Sequence, residues 1–85
     1  MSGKVDVGTI YIGLDNYGKR LPKEYQPHVV IEITKRRPLV IEEHQIIGEN
    51  KIKPFGGTAT RRNIGPIIGK MSLEKLNIAI ENRLK

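Results

Sequence analysis

Glu42, Glu43 and His44 stand in a row, and a second histidine, His28, lies upstream of them. Carboxylates and imidazoles are the groups that move protons near neutral pH. On an extended backbone, neighbouring side chains point to opposite faces, so Glu42 and His44 share one face and Glu43 takes the other. Glu42 with His44 is then either an acid/base pair or the polar end of an exposed strand. Metal binding asks for three or four ligands at regular spacing, which this run does not supply. The chain has no Cys, so disulfides, thiolate metal sites and a thiol nucleophile are excluded. Ser2 sits in a start expected to fray and Ser72 reads as a helix cap, which leaves a Ser-His-Asp arrangement without support. RNA cleavage is the reaction least dependent on special groups, because the substrate's own 2′-OH is the nucleophile. For that chemistry the candidate catalytic residues are Thr34, His28 and His44. No cofactor and no metal is expected.

Cations are the second resource. The net charge of +6 is unevenly spread: by segment, residues 1–18 carry −1, 19–37 carry +4, 38–50 carry −3, 51–70 carry +5 and 71–85 carry +1. Residues 51–70 hold no acid, and Phe55 is the one aromatic among their five cations. Cations on loops can follow a phosphate backbone, and Gly56-Gly57-Thr58 would let main-chain N–H groups approach an oxyanion. The pair of glycines lacks the Gly-Lys-Ser/Thr ending of a P-loop. The nucleic-acid-contact set is Lys19, Arg20, Lys23, Arg36, Arg37, Lys51, Lys53, Phe55, Arg61 and Arg62, carried on loops 19–27, 35–37 and 53–63. Two other readings stand beside it: solvated surface that keeps the protein soluble, and a face for an acidic protein partner.

The elements that must position these residues are mostly strands. Ile, Val and Thr make up 22 of the 85 residues, against two Ala. Branched side chains suit a pleated surface better than a helix. Val5 to Leu14 alternates with period two, and Asp15-Asn16-Tyr17-Gly18 stops it. Lys19 to Pro27 is a polar loop, long enough in so small a chain to be functional rather than idle. His28 to Thr34 is the second strand, with Val29, Ile31 and Ile33 expected on one face. After the basic turn at 35–38, Leu39 to Glu43 resumes the extended pattern. Gln45–Gly48 and Lys51–Lys53 are expected as two further short pieces, and Ile67-Ile68 as a last short strand. Only the end reads as helix, capped by Ser72 with Leu73, Leu76, Ile80 and Leu84 on one stripe and Ile78 opposite. Ile78 hints at a homodimer or partner contact. No internal repeat or low-complexity tract is visible.

The fold class expected is therefore mainly β with one C-terminal α-helix: a single small basic domain over residues 1–85, built as a small curved antiparallel sheet or SH3-like barrel. Its core is thin at this length, and oligomerisation would add to it. No apolar run approaches a membrane span and no secretory start is seen, so a soluble, cytoplasmic protein with no membrane partner is expected.

Several segments resemble the PemK/MazF-type toxins, a family of mRNA-cutting barrels. GTIYIGLD resembles their opening strand, and QPHVVIEIT their apolar strand ending in Ser or Thr. EEHQIIGENKI is similar to the segment around their aspartate-glutamine strand. The best match, IIGKMSLEKLNIAIENRL, is similar to their closing Gly-Lys-Leu-Ser helix start and amphipathic helix. The resemblance implies an SH3-like barrel, a homodimer, endoribonuclease activity on single-stranded RNA and an antitoxin as protein partner; Thr34 is the residue available for the Ser/Thr role, an assignment that the match itself does not carry. It also has a gap: where the family has Arg before the proline, this chain has Gln26, and no match supplies a substitute from Arg36 or Arg61. Three functions follow as expectations: a nucleic-acid-binding domain with RNA before DNA, an mRNA endoribonuclease, and a small protein-binding inhibitor or adaptor of viral type.

Overall fold

Alternation of β-branched residues builds an antiparallel sheet, and a single amphipathic helix covers one of its faces. The computed structural model describes residues 5–35, 39–55 and 58–83. Its strands are β1 Thr9–Gly13, β2 His28–Thr34, β3 Val40–Gly48, β4 Lys51–Pro54, β5 Ala59–Thr60 and β6 Ile64–Lys70, followed by α1, Leu73–Glu81. Two 3-10 turns, Lys23–Tyr25 and Arg61–Asn63, lie in the connections. The order across the sheet is β4-β3-β2-β1-β6, with β5 also on β3. β4 pairs with the His44–Gly48 half of β3, and β5 with Val40 and Ile41 at its other end.

This order imposes a strong curl. β5 lies on one edge of the sheet and β6 on the opposite edge, four strand spacings away, which in a flat sheet is about 19 Å. Yet only Arg61–Asn63 separates Thr60, opposite Val40, from Ile64, opposite Gly13. A 3-10 segment rises about 2 Å per residue, so the edges must bend toward each other. Register shifts in the β1–β6, β2–β3 and β3–β4 ladders supply the bends. Among the described residues no ladder joins β6 to β4 or β5, so of the two expected forms the sheet has the open one.

Two hydrophobic clusters result. Tyr11, Val30, Ile41 and Ala59 are buried on the inner face, with Ile33, Ile64 and Ile67 packed against them. Residues from both edges meet in this cluster, as a curled sheet requires. On the outer face Val29 and Ile52 pack with Met71 and with Leu76 and Ala79 of α1. Ser72 caps α1, its Oγ accepting the Lys75 N–H at 3.2 Å. At the other end the Asn82 amide donates to the Asn50 carbonyl at 3.1 Å, tying α1 to the β3–β4 turn.

Several expectations need correction. β3 is one nine-residue strand rather than two pieces, since His44 and Gln45 are buried in it. β6 runs from Ile64 through Gly65-Pro66, which an edge strand tolerates because the missing proline N–H points away from the ladder. β5 has no counterpart among the expected elements. A register shift between Val30 and Glu32 turns Ile33 to the inner face, so it does not share one with Val29 and Ile31. On α1 the buried stripe includes Ala79, whereas Leu73 is 64% exposed; Leu84 lies outside the described residues.

Gly8 shows how close the backbones come. It has φ +94°, its N–H donates to Val30 O and its carbonyl accepts from Met71 N–H, each at 2.8 Å. A Cβ there would sit 2.5 Å from Met71 O, whereas one at Gly18 (φ +80°) would meet nothing within 4 Å. Gly8→Ala is therefore expected to destabilise by more than about 2 kcal/mol, and Gly18→Ala by about 1 kcal/mol. Urea unfolding of the two variants checks this, and equal shifts would contradict the close packing of Gly8 on Met71.

Candidate functional site

The curl places three polar side chains inside the sheet. Tyr11 and His28 are opposite one another on β1 and β2, and Glu43 on β3 lies opposite Val30. All three are buried. Glu43 Oε2 accepts the Tyr11 hydroxyl and faces His28 Nδ1 at 2.9 Å. Burial pushes the Glu43 carboxyl up to about 7. Burial also holds His28 below its ordinary value, with a main-chain contact to Tyr25 pulling the other way. Each group thus favours its neutral form, and hydrogen bonding within the trio offsets the loss of water. Among the described residues His28 Nε2 has no hydrogen-bond partner. It packs on Gly13, where a Cβ would lie 2.9 Å from it. Phe55 packs at a tilt against His28 with 4.5 Å between ring centroids, and Tyr25 meets the Phe55 ring edge-on at 5.8 Å.

Gln26 explains how the long loop is held over this interior. Its Oε1 accepts the Gly13 N–H at 2.8 Å, while its Nε2 donates to Gly13 O at 2.9 Å and Leu21 O at 3.3 Å. An arginine carries no acceptor, so it could not make this reciprocal pair. The residue at position 26 therefore serves the architecture of the loop.

A second grouping lies outside, around the turn Arg61–Asn63. Asn63 Oδ1 accepts the Thr60 N–H at 3.0 Å and its hydroxyl at 3.3 Å. Its Nδ2 donates to Leu14 O at 3.1 Å and Asn16 Oδ1 at 3.2 Å, and Leu14 N–H donates to Asn63 O at 2.9 Å. Leu14 in turn bridges to Arg20. Arg20 and Asn63 thus flank Leu14, about 10 Å apart. Thr60 pairs with Val40, which pairs with Thr34, and Lys35 follows. Arg61 and Arg62 precede Asn63, and Lys19 and Arg20 adjoin the Leu14 bridge, so these four share one rim, while Lys35 follows Thr34 at the other end of β2; all five are exposed. Among the described residues none of them has an acidic partner; the only Lys or Arg ion pair is Lys70–Asp6, at 3.8 Å.

The remaining expected residues fall elsewhere. Lys51 lies opposite Gly48, at the far end of β3 from Val40, so about 26 Å of strand separates it from the level of Val40 and Thr60. Lys53 is opposite Gln45, and Lys23 lies in the 3-10 turn beside Tyr25. Phe55 is half-buried against His28 rather than free among the cations. Arg36 and Arg37 lie outside the described residues.

Nor are Thr34, His28 and His44 brought together. Thr34 ends β2, its hydroxyl donating to Val40 O at 2.8 Å, six residues and about 20 Å from His28. His44 faces the outer side, its Nδ1 donating to Glu43 O at 2.8 Å and its Nε2 4.0 Å from Glu42. It is 2% exposed, so the expected exposed strand end is corrected: only Glu42 of that pair reaches solvent. Sequence reasoning misses Tyr11 and Glu43 as partners of His28. Counting by twos from the apolar Ile41 would put Glu43 inside.

The buried acid has a pH signature. Because its folded pKa is raised to about 7, Glu43 contributes stability that is complete below the ordinary carboxylate range and is lost as pH rises through 7. His28, lowered, acts oppositely, its contribution being lost as pH falls below 6.5. Between pH 6.5 and 8 Glu43 alone lowers stability by just under about 1 kcal/mol, and His28, still partly protonated in the unfolded chain at pH 6.5, offsets part of that fall. Glu43→Gln keeps an acceptor for Tyr11 and removes this fall. Urea unfolding at the two pH values checks it; an identical decline in the variant would show that Glu43 is not its source.

Comparison of the chain with protein-family models, curated proteins and solved structures finds no match, so the functional reading rests on this geometry.

Proposed function

We propose that this chain binds nucleic acid, RNA in preference to DNA, through the basic rim around Arg61–Asn63. The observation that carries the reading is the grouping of Lys19, Arg20, Arg61 and Arg62, exposed and without acidic partners among the described residues, around the contact of Asn63 with Leu14. Free cations release counterions when they meet phosphates, and that release drives association. The kind of element matters as well. A duplex major groove admits a helix or β-ribbon, but α1 carries two Glu and one Lys and is not the basic element. The cations sit instead on short turns that suit an irregular, unpaired strand, the form in which RNA is most often recognised by sequence. A ribonuclease reading draws less support, because Thr34, His28 and His44 lie apart.

Fluorescence anisotropy with a labelled single-stranded RNA tests the proposal. Tight binding at low salt is expected, weakening steeply as salt rises. Arg61→Ala with Arg62→Ala removes two phosphate contacts and lowers the slope of log K against log salt by about 1.4 on a single strand. Lys51→Ala, at the far end of β3, leaves both affinity and slope nearly unchanged. No retention of RNA at low salt would overturn the proposal, and so would equal losses from the two substitutions.

A further inference from the structure

Tyr17 is the most exposed large apolar side chain described, at 89%, and it stands on the rim rather than away from it. Its turn is built to hold one shape. Asp15 Oδ1 accepts the N–H of Tyr17 at 2.8 Å and of Lys19 at 3.0 Å. Asp15 N–H donates to Lys19 O at 2.8 Å, Gly18 N–H donates to Asp15 O at 3.1 Å, and Gly18 takes the left-handed conformation that closes the turn. Asn16, the neighbouring residue, is bonded to Asn63. The ring is thus presented at the tip of a pinned turn, with Lys19 and Arg20 on one side and Arg61-Arg62 across Asn63 on the other.

An exposed aromatic flanked by cations that have no acidic partner among the described residues matches the two chemistries of a single strand, a flat base and a charged phosphate. We propose that Tyr17 is a stacking platform for one unpaired base of the bound strand, while the rim cations hold the phosphates on either side. This rests on the nucleic-acid reading above and deepens it: the ligand is a single strand, because a base inside a duplex has no free face to offer. Pinning the turn beforehand reduces the entropy lost when the base docks.

The chain has no Trp, so Tyr17→Trp places a single reporter at this position. Its emission is expected to be quenched by a single-stranded RNA, saturating with the anisotropy of the same strand, and to be unmoved by that RNA annealed to its complement. Tyr17→Leu keeps an apolar side chain without a π-face. It is expected to weaken single-strand binding by roughly 5- to 150-fold while leaving the salt slope as in the parent. Suppose the strand binds by anisotropy, yet the indole emission of the Tyr17→Trp variant does not change and Tyr17→Leu binds like the parent. Stacking is then refuted and phosphate binding stands. If the parent binds no strand at low salt, the nucleic-acid reading fails and the platform with it.

Discussion

Three residues, Arg61–Asn63, carry the chain from one edge of the sheet to the other, and the remaining architecture depends on that short step. Thr60 is fixed to β3 and Ile64 to β1, so the sheet has to curl until its edges come within reach. Asn63 locks the step with both ends of its amide, receiving Thr60 and donating to Leu14 and Asn16. Hydrogen bonds of this kind each contribute on the order of 1 kcal/mol. Their larger effect here is geometric, since they join the turn after β1 to the turn before β6.

Inside the curl, space and solvent are both limited. Tyr11, His28 and Glu43 enter a face otherwise lined by Val, Ile, Leu and Ala and hydrogen-bond one another there, leaving His28 Nε2 without a partner among the described residues. Gly13 leaves room for the His28 ring and, through Gln26, anchors the loop that covers it. The same β1 end therefore serves two functions: Gly13 completes the interior, and Leu14, one residue on, holds the rim. Outside, the curl brings cations of residues 19–37 alongside those of residues 51–70. A charge excess divided along the sequence becomes one positive edge, while Lys51 and Lys53 are left apart from it.

Much of this is legible locally. β2 can be read with its observed limits because a β-branched run, Val29–Thr34 interrupted only by Glu32, lies between Pro27 and a basic turn. The Ser72 cap and the start of α1 are equally plain. Polar residues mislead where they are buried: His44 and Gln45 look like an interruption of β3, and their burial depends on partners across the sheet. Two-residue β5 carries no periodic signal at all. The curl is non-local, set by pairings of Val40 with Thr60 and Gly13 with Ile64, so the segment charges can be counted along the chain but their meeting cannot be foreseen. Tyr17 is visible as an aromatic near cations, whereas its exposure and its pinned turn belong to the fold.

If the curl makes one binding edge from separated segments, those segments must respond together to a ligand. Amide chemical shifts followed during titration with a single-stranded RNA test this residue by residue. Lys19, Arg20, Arg61 and Arg62 are predicted to shift together along one binding curve, while Lys51 and the amides of α1 stay still. Shifts confined to a single one of these segments, or centred on Lys51 and α1, would contradict a shared edge.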